Sequence, residues 1–486
     1  MSKNIRLVGV LVIIMFMSLF VASTSIQVFQ AETLRDDPRN NRTREESFEI
    51  QRGPILVNGT PIASSTPIDT AYKYQRIYEN GPLYAAVTGY YSIDGASTGL
   101  EGALNPELSG NSDTQFFQGL ERLFTGQDPA GAAVETTIDP LAQQTAADAL
   151  GEFKGAVVAT NPATGAILAM YSTPTYDPAA LAGHDTETVE EAYRNLLADP
   201  NDPLQNRAIG GNMNPPGSVF KLVVAAAALE DGLATAESPL PNPATLTLPG
   251  TNVSVNNPSA GAKCGNGDTT NLRIALEQSC NVPFAQLAMD LGAERLREMA
   301  EAFGFNHEFE IPMTASASTY PTALEDDAQL ALTGFGQFDV RATPLQFAMI
   351  SAAIANGGEV MNPSLVESIQ TPTFQEIQGP EISSFGRAIS EETAASLQSM
   401  MEGSVNSGVA SNARIDGINV AGKTGTAENG EGEPYSLWFT GFAESGDTQI
   451  AVAVVLEDGG GMGQSGTGNG LAATIGQQVM KAVLSR

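Results

Sequence analysis

Apolar residues recur along this chain with three different periods, and each period predicts a different kind of segment. From Leu7 to Phe29 no charged residue interrupts the run, a length sufficient to cross a bilayer. Lys3 and Arg6 precede it and Glu32 is the first acid after it. The positive-inside rule therefore puts the first six residues in the cytoplasm and the rest outside, as in a single-pass plasma-membrane protein. A cleaved signal peptide is the alternative, with small residues at Val21-Ala22-Ser23 near a cleavage point. A charge-dense stretch over 36–46 follows and reads as a juxtamembrane linker.

Strand periodicity then appears at 48–57 and breaks at Asn58-Gly59, a strong hairpin turn, before Thr60-Pro61-Ile62-Ala63. Residues 64–135 are rich in Gly and Tyr with few periodic runs and are assigned only to an extended pedestal. The alanine-rich run 141–150, ended by Gly151, predicts an amphipathic helix. Two buried strands, 155–160 and 166–171, flank the turn Asn161-Pro162-Ala163-Thr164-Gly165. A mostly helical stretch spans 218–410, with helices predicted at 219–230, 271–302 in two pieces, 344–356 and 391–403. Strands return at 418–421, 436–442 and 449–456, and an apolar helix closes the chain at 471–484. Two strands, a helical insertion, three strands and a final helix predict an α+β fold: one five-stranded antiparallel sheet, flanked by helices, whose first and last segments lie together. The chain divides into tail and anchor (1–29), a non-catalytic pedestal (30–150) and a catalytic domain (151–486). This agrees with 486 residues exceeding what one core supports.

A net charge of -31 excludes binding to nucleic acid or an anionic surface through a broad electrostatic footprint. Cys264 and Cys280 are the only cysteines. In the oxidising compartment they can pair, closing a short loop worth about 3 kcal/mol, or they stand as two buried thiols. The two histidines, His184 and His307, stand singly, so neither a zinc site nor a Ser-His-Asp triad is read, and no metal or cofactor is expected.

The chemistry concentrates in three places. Pro215-Pro216-Gly217 precede Ser218, and the run after it is strongly helical, which puts Ser218 at a helix N-terminus where free N–H groups favour negative charge. Lys221 lies three residues on, on the same helical face. A serine is a weak nucleophile until a base takes its proton, and a lysine becomes that base only when burial or a neighbouring cation lowers its pKa. Lys423, 205 residues after Ser218, is the candidate neighbour, and only seven lysines exist in the chain. In Lys423-Thr424-Gly425-Thr426 the glycine lets a ligand backbone approach a strand closely. Lys423 with the Thr424 and Thr426 hydroxyls would bind a carboxylate, and the Thr426 and Ser218 N–H groups would form an oxyanion hole. The segment is read as a strand and not as a nucleotide-binding loop. Between these motifs, Ser279-Cys280-Asn281 occupies a break between two amphipathic stretches, where Ser279 can relay a proton and Asn281 hold a substrate amide. The same Ser-x-Asn spacing at Ser254 lies in a stretch, Leu246 to Val255, whose pattern reads as a surface hairpin, and it ranks behind Ser279.

Ser-x-x-Lys followed by Lys-Thr-Gly is the signature of penicillin-recognising serine enzymes. With the anchor, Arg52-Gly53-Pro54-Ile55, Gly99-Leu100-Glu101, Thr137-Ile138-Asp139, Asn206-Arg207-Ala208 and Trp438-Phe439-Thr440-Gly441, the chain resembles the class B penicillin-binding proteins, of the actinobacterial penicillin-binding protein A type. The resemblance implies a D,D-transpeptidase that joins peptidoglycan stem peptides through an acyl-enzyme on Ser218 and is acylated by β-lactam antibiotics. It further implies work in elongation or division beside a membrane polysaccharide polymerase. A departure is Arg-Gly-Pro-Ile-Leu-Val-Asn at 52–58, where the family pattern ends in Asp-Arg. Rival functions are a β-lactamase, whose activating carboxylate would have to be Glu230, Glu237 or Glu277, and a non-catalytic β-lactam-binding scaffold.

Overall fold

The computed structural model describes residues 3–30, 48–112 except 71, and 130–485 except 259, 260, 266 and 374. The linker read at 36–46 lies outside them. Helix Lys3–Thr24 continues through a wider-pitched turn, Ser25–Phe29, and the apolar span Ile5–Phe29 packs against nothing else in the described structure. Twenty-five residues at about 1.5 Å each exceed a hydrocarbon core.

The pedestal is built on a six-stranded sheet in the order Glu376–Gln378, Val366–Gln370, Ala133–Thr136, Ile55–Val57, Thr60–Pro67, Tyr74–Tyr78. The hairpin expected at Asn58-Gly59 is present: both residues take left-handed φ, 49° and 71°, and Val57 pairs with Thr60 across a two-residue turn. Ile55–Val57 runs parallel to Ala133–Thr136, while two of the six strands return from beyond residue 365. Arg52 and Arg76 meet Glu101 in the interior, each Nε donating at 2.6 Å, and the Tyr78 hydroxyl donates to the same carboxylate at 3.1 Å. Burial alone would raise the Glu101 pKa, but the two guanidiniums reverse that and hold it below the usual carboxylate range. The Arg-Gly-Pro-Ile and Gly-Leu-Glu motifs are thus one buried ion triad.

The catalytic sheet has five antiparallel strands in the order Val420–Ala427, Ser436–Ser445, Thr448–Leu456, Gly155–Thr160, Ile167–Thr173. First and last segments are adjacent, as expected. Both faces are covered, so the strands are apolar throughout and do not alternate. Val157, Phe439, Val452 and Val454 pack under helices Pro140–Leu150 and Ala472–Leu484. Ala156, Trp438, Ala453 and Val455 face the helical insertion. Helix Pro140–Leu150 is capped by the Asp139 carboxylate, which accepts from Leu141 and Ala142 at 3.0 and 2.8 Å. It packs on the catalytic sheet, so the pedestal's last strand ends at Thr136 and the catalytic packing begins at this helix.

The structure differs from the periodicity in several places, and the stretch 218–410 read as mostly helical also holds short paired strands such as Glu359–Met361 and Ser384–Arg387. The stretch 271–302 forms three helices, Leu272–Glu277, Val282–Leu291 and Ala293–Ala302, because Gly292, at φ 84°, adds a second break to the one expected at Ser279, which takes φ 56°. The helix expected from 219 begins as a tighter 3-10 turn, Gly217–Phe220, and becomes α-helical at Lys221. Helix Thr186–Ala198, polar enough to escape an apolar periodicity, was not anticipated.

Candidate active site

The Ser218 turn crosses directly over the edge strand Val420–Ala427. A side chain at Gly425 would lie 2.8 Å from the Pro216 carbonyl, so only glycine allows this approach. Gly217 takes φ +55° and donates its N–H to the Gly336 carbonyl at 2.9 Å, fixing the turn from the other side. The indole N–H of Trp438 donates to the Pro215 carbonyl at 3.0 Å. Thr440 on the same strand donates to Phe347, anchoring helix Pro344–Ala355 behind the site. Ser218 is half-buried and its hydroxyl makes no hydrogen bond among the described residues.

Lys221, one helical turn after Ser218, is fully buried. Its Nζ donates to the Ser279 carbonyl at 2.7 Å and to Asn281 Oδ1 at 2.8 Å, with Ser279 Oγ at 3.4 Å. Lys423, equally buried, donates to Ser279 Oγ at 2.8 Å and to the Thr424 carbonyl at 2.7 Å. The Ser279 hydroxyl therefore stands between the two amines. Burial, and after it the Lys423 charge, pushes the Lys221 amine well below the ordinary lysine value, and burial brings Lys423 down to about 7. A neutral amine has two N–H groups and one lone pair. Two carbonyl-type acceptors take the two N–H groups of Lys221, which leaves the lone pair to receive a proton.

Of the remaining expected residues, Thr426 is exposed on the strand edge, while the buried Thr424 hydroxyl donates to the Val409 carbonyl at 3.4 Å. A glycine-rich loop over 459–468 flanks the site, and Gly468 donates its N–H to Thr426 Oγ1 at 3.3 Å. Asn281 uses Oδ1 on Lys221 and one Nδ2 hydrogen on the Asn256 carbonyl, leaving one amide hydrogen for a substrate. Cys264 and Cys280 form a disulfide across a sequence separation of 16, which ties the loop between Ser279 and Asn281 to the preceding segment.

Several supporting residues were missed. Asn257 accepts from the Asn281 and Val282 N–H groups at 3.0 and 3.1 Å. Its neighbour Asn256 belongs to the Ser254-Val255-Asn256 segment, which is the expected surface hairpin but also braces the loop chosen ahead of it. Asn214 and Arg207 share the Glu457 carboxylate at 3.1 and 3.3 Å, and Ser436 donates to Asn214, so Asn206-Arg207-Ala208 supports the approach to Pro215. The only advance signal for these was the motif around Arg207.

Two exclusions rest on geometry. Gly417 to Thr424 fits the Gly-x-x-x-x-Gly-Lys-Thr spacing of a nucleotide-binding loop. Here, however, Lys423 lies inside a strand paired with Ser436–Ser445 and not in a loop opening a helix. Glu230 accepts from Ser390, Glu237 pairs with Arg273, and Glu277 lies against Gly403, so all three carboxylates are engaged elsewhere than at Ser218.

Residues 155–481 match the family model described as the penicillin-binding protein transpeptidase domain, and residues 52–134 match the penicillin-binding protein A dimerisation domain. The chain is 40% identical to the peptidoglycan D,D-transpeptidase PbpA of Mycolicibacterium smegmatis, over 100% of this chain and 99% of that protein. It is similar to the penicillin G acyl-enzyme complex of penicillin-binding protein A from M. tuberculosis: TM-score 0.84, 41% identity, 90% of this chain and 100% of that one. The D,D-transpeptidase domain from Eggerthella lenta matches with TM-score 0.77 at 33% identity, over 90% and 99% of the two chains. The chain belongs to the penicillin-binding protein transpeptidase family.

Proposed function

We propose that this protein is a membrane-anchored peptidoglycan D,D-transpeptidase whose nucleophile is Ser218. The observation that carries the reading is the pair of buried lysines sharing the Ser279 hydroxyl one helical turn from Ser218. Lys221 takes the Ser218 proton as the oxygen attacks the penultimate D-Ala carbonyl of a stem peptide. The oxyanion that forms is met by the Ser218 and Thr426 N–H groups. When the C–N bond breaks, the proton passes through Lys221 and Ser279 to the departing D-Ala amine. An amine from a neighbouring strand then attacks the ester, gives up its proton by the same route, and frees Ser218. Lys423, charged at neutral pH for part of the time, and the exposed Thr426 hydroxyl attract the substrate's terminal carboxylate. The Lys423 charge also disfavours a second charge on Lys221. Asn281 orients both Lys221 and the substrate amide.

In this reading residues 1–29 anchor the chain with its N-terminus in the cytoplasm, the pedestal holds the site away from the bilayer, and residues 151–486 carry the chemistry. A membrane enzyme that polymerises glycan strands is the implied partner. A fluorescent penicillin followed by peptide mapping tests the assignment. Label on Ser218 is expected; label on any other residue refutes it. Full growth rescue by Ser218→Ala would favour the scaffold role instead.

A further inference from the structure

We infer that the cavity at the seam between pedestal and catalytic domain is a subsite for an uncharged acetamido sugar of the glycan strand. This rests on the transpeptidase reading above, which makes peptidoglycan the substrate, and concerns its saccharide and not its stem peptide. The cavity measures about 220 Å³, below the range of about 300–1,000 Å³ that holds drug-sized ligands and suited to a single sugar ring. One wall comes from the pedestal, at the end of helix Gly81–Thr88 and the turn Thr98-Gly99. Much of the other comes from the catalytic domain, at the end of strand Ile167–Thr173 and the segments 175–176 and 203–206. Asn206 Nδ2 donates to the Ala86 carbonyl and the Thr175 hydroxyl to the Pro82 carbonyl, each at 2.9 Å, so the two walls are stitched together. On the pedestal side the lining is alanine, glycine and one threonine, small residues that keep the space open.

The occupant is uncharged because the walls are. In a chain with 55 acids and 24 bases, no charged side chain lines this cavity among the described residues. The two motifs beside it spend their charges elsewhere: Glu101 on Arg52 and Arg76, and Arg207 on Glu457. What remains are hydroxyls and amides from Thr98, Ser172, Thr175, Tyr176, Gln205 and Asn206. Burial raises the Tyr176 hydroxyl to about 12, so it stays neutral as well. An ionic ligand would give up its hydration here with no counter-charge in return, whereas a sugar exchanges water for neutral donors and acceptors.

Two further observations narrow the sugar. Gln205 Oε1 is buried and accepts from no group among the described residues, so a ligand N–H or O–H would satisfy it. Tyr176 meets Tyr90 edge to face with ring centroids 6.3 Å apart, and Tyr90 lies 6.4 Å from the exposed ring of Tyr193. This row of rings leads from the cavity wall to solvent and offers apolar faces to the C–H face of a sugar, with a hydroxyl on each ring. An acetamido sugar brings both an amide N–H for Gln205 and a methyl group for Ile209 and Met313, which line the same cavity. A plain hexose has no methyl group to bury there.

The test uses full-length protein in a sugar-free detergent, with chitobiose, the dimer of N-acetylglucosamine, as probe and cellobiose, which lacks the acetamido groups, as control. Saturation transfer from protein to sugar, followed by NMR through a titration, gives the Kd of each. Chitobiose is expected to bind with a Kd of about 1 mM or tighter and cellobiose at least about fivefold more weakly. Ala86→Leu, which fills the cavity from the pedestal wall, should weaken chitobiose at least about tenfold, while acylation by benzylpenicillin reports that the variant is folded. Absence of chitobiose binding, equal binding of cellobiose, or binding unchanged in Ala86→Leu overturns the subsite. Where the leucine variant is not acylated, Gln205→Leu replaces it: chitobiose weakened at least about threefold supports the subsite, an unchanged Kd overturns it. Acylation of the wild type without chitobiose binding overturns the subsite alone, whereas failure of benzylpenicillin to acylate Ser218 in the wild type overturns the underlying transpeptidase reading.

Discussion

Replacing Lys423 by methionine should make the protein more stable and nearly inactive. In the folded state the amine is completely buried and its pKa falls to about 7. Against an unfolded lysine near pKa 10.4, this burial costs the fold about 4 kcal/mol at pH 7. Methionine has a similar shape and no charge to desolvate. The variant loses two hydrogen bonds, to Ser279 Oγ and the Thr424 carbonyl, each worth about 1 kcal/mol net. A stabilisation of about 1–2 kcal/mol remains, visible as a rise in Tm of roughly 2–5 °C. The gain depends on pH with a definite sign. Between about pH 7 and 10 the unfolded lysine is protonated while the buried one is not, so unfolding takes up a proton. Wild-type stability therefore climbs with pH through that window and the advantage of Lys423→Met shrinks. Acylation by penicillin should drop at least about 100-fold, because Lys221 loses the neighbouring charge that helps keep it neutral. Melting curves at pH 7, 8.5 and 10 with stopped-flow acylation measure both effects. A lower Tm for the variant at pH 7, or parallel pH slopes, would refute the claim that charge burial at this position opposes folding.

For penicillin acylation of the free enzyme, the rate should rise with pH as the lysine pair loses its first proton and fall near pH 7 as it loses the second. A bound substrate carboxylate favours the charged Lys423, so the alkaline limb of kcat should lie above that of kcat/KM; a flat profile from pH 6 to 9 contradicts this. Glu101→Gln leaves two buried guanidiniums without their anion and should cost about 3–5 kcal/mol. Thermal unfolding and trypsin cleavage within the pedestal report it, and an unchanged melt would mean the triad adds no net stability. Cys264→Ala with Cys280→Ala should lower stability by about 3 kcal/mol. It should also slow acylation, since Cys280 lies between Ser279 and Asn281; acylation at the wild-type rate would show that the loop holds its shape without the bridge.

The catalytic sheet was legible because its strands are continuous apolar runs bounded by Gly, Pro and Asn turns, and because two of them carry residues no core would choose, such as Lys423. The Asn58-Gly59 turn was legible because left-handed φ at both positions restricts composition. By contrast, the pedestal sheet was hidden. Ala133–Thr136 and Val366–Gln370 are partners separated by more than 200 residues, and neither has a pattern that names the other. The break at Ser279 was legible because two amphipathic stretches meet there, whereas its left-handed φ of 56° and the Asn257 and disulfide contacts beside it are tertiary features that leave no local signature. Lys221 and Ser279 could be named from spacing. That Asn281 Oδ1 would accept from Lys221, and Asn256 steady its amide, could not.

The hairpin Val366–Gln370 and Glu376–Gln378 has a practical corollary. It is encoded inside the catalytic half yet completes the sheet begun by Ile55–Val57. Trimming the gene to residue 151 onward would deprive Val366–Gln370 of its partner strand and leave bare main-chain N–H and C=O groups, a template for self-association. A well-behaved soluble version should discard the apolar helix and start ahead of Arg52, so that the returning ribbon still finds the strand it was folded against.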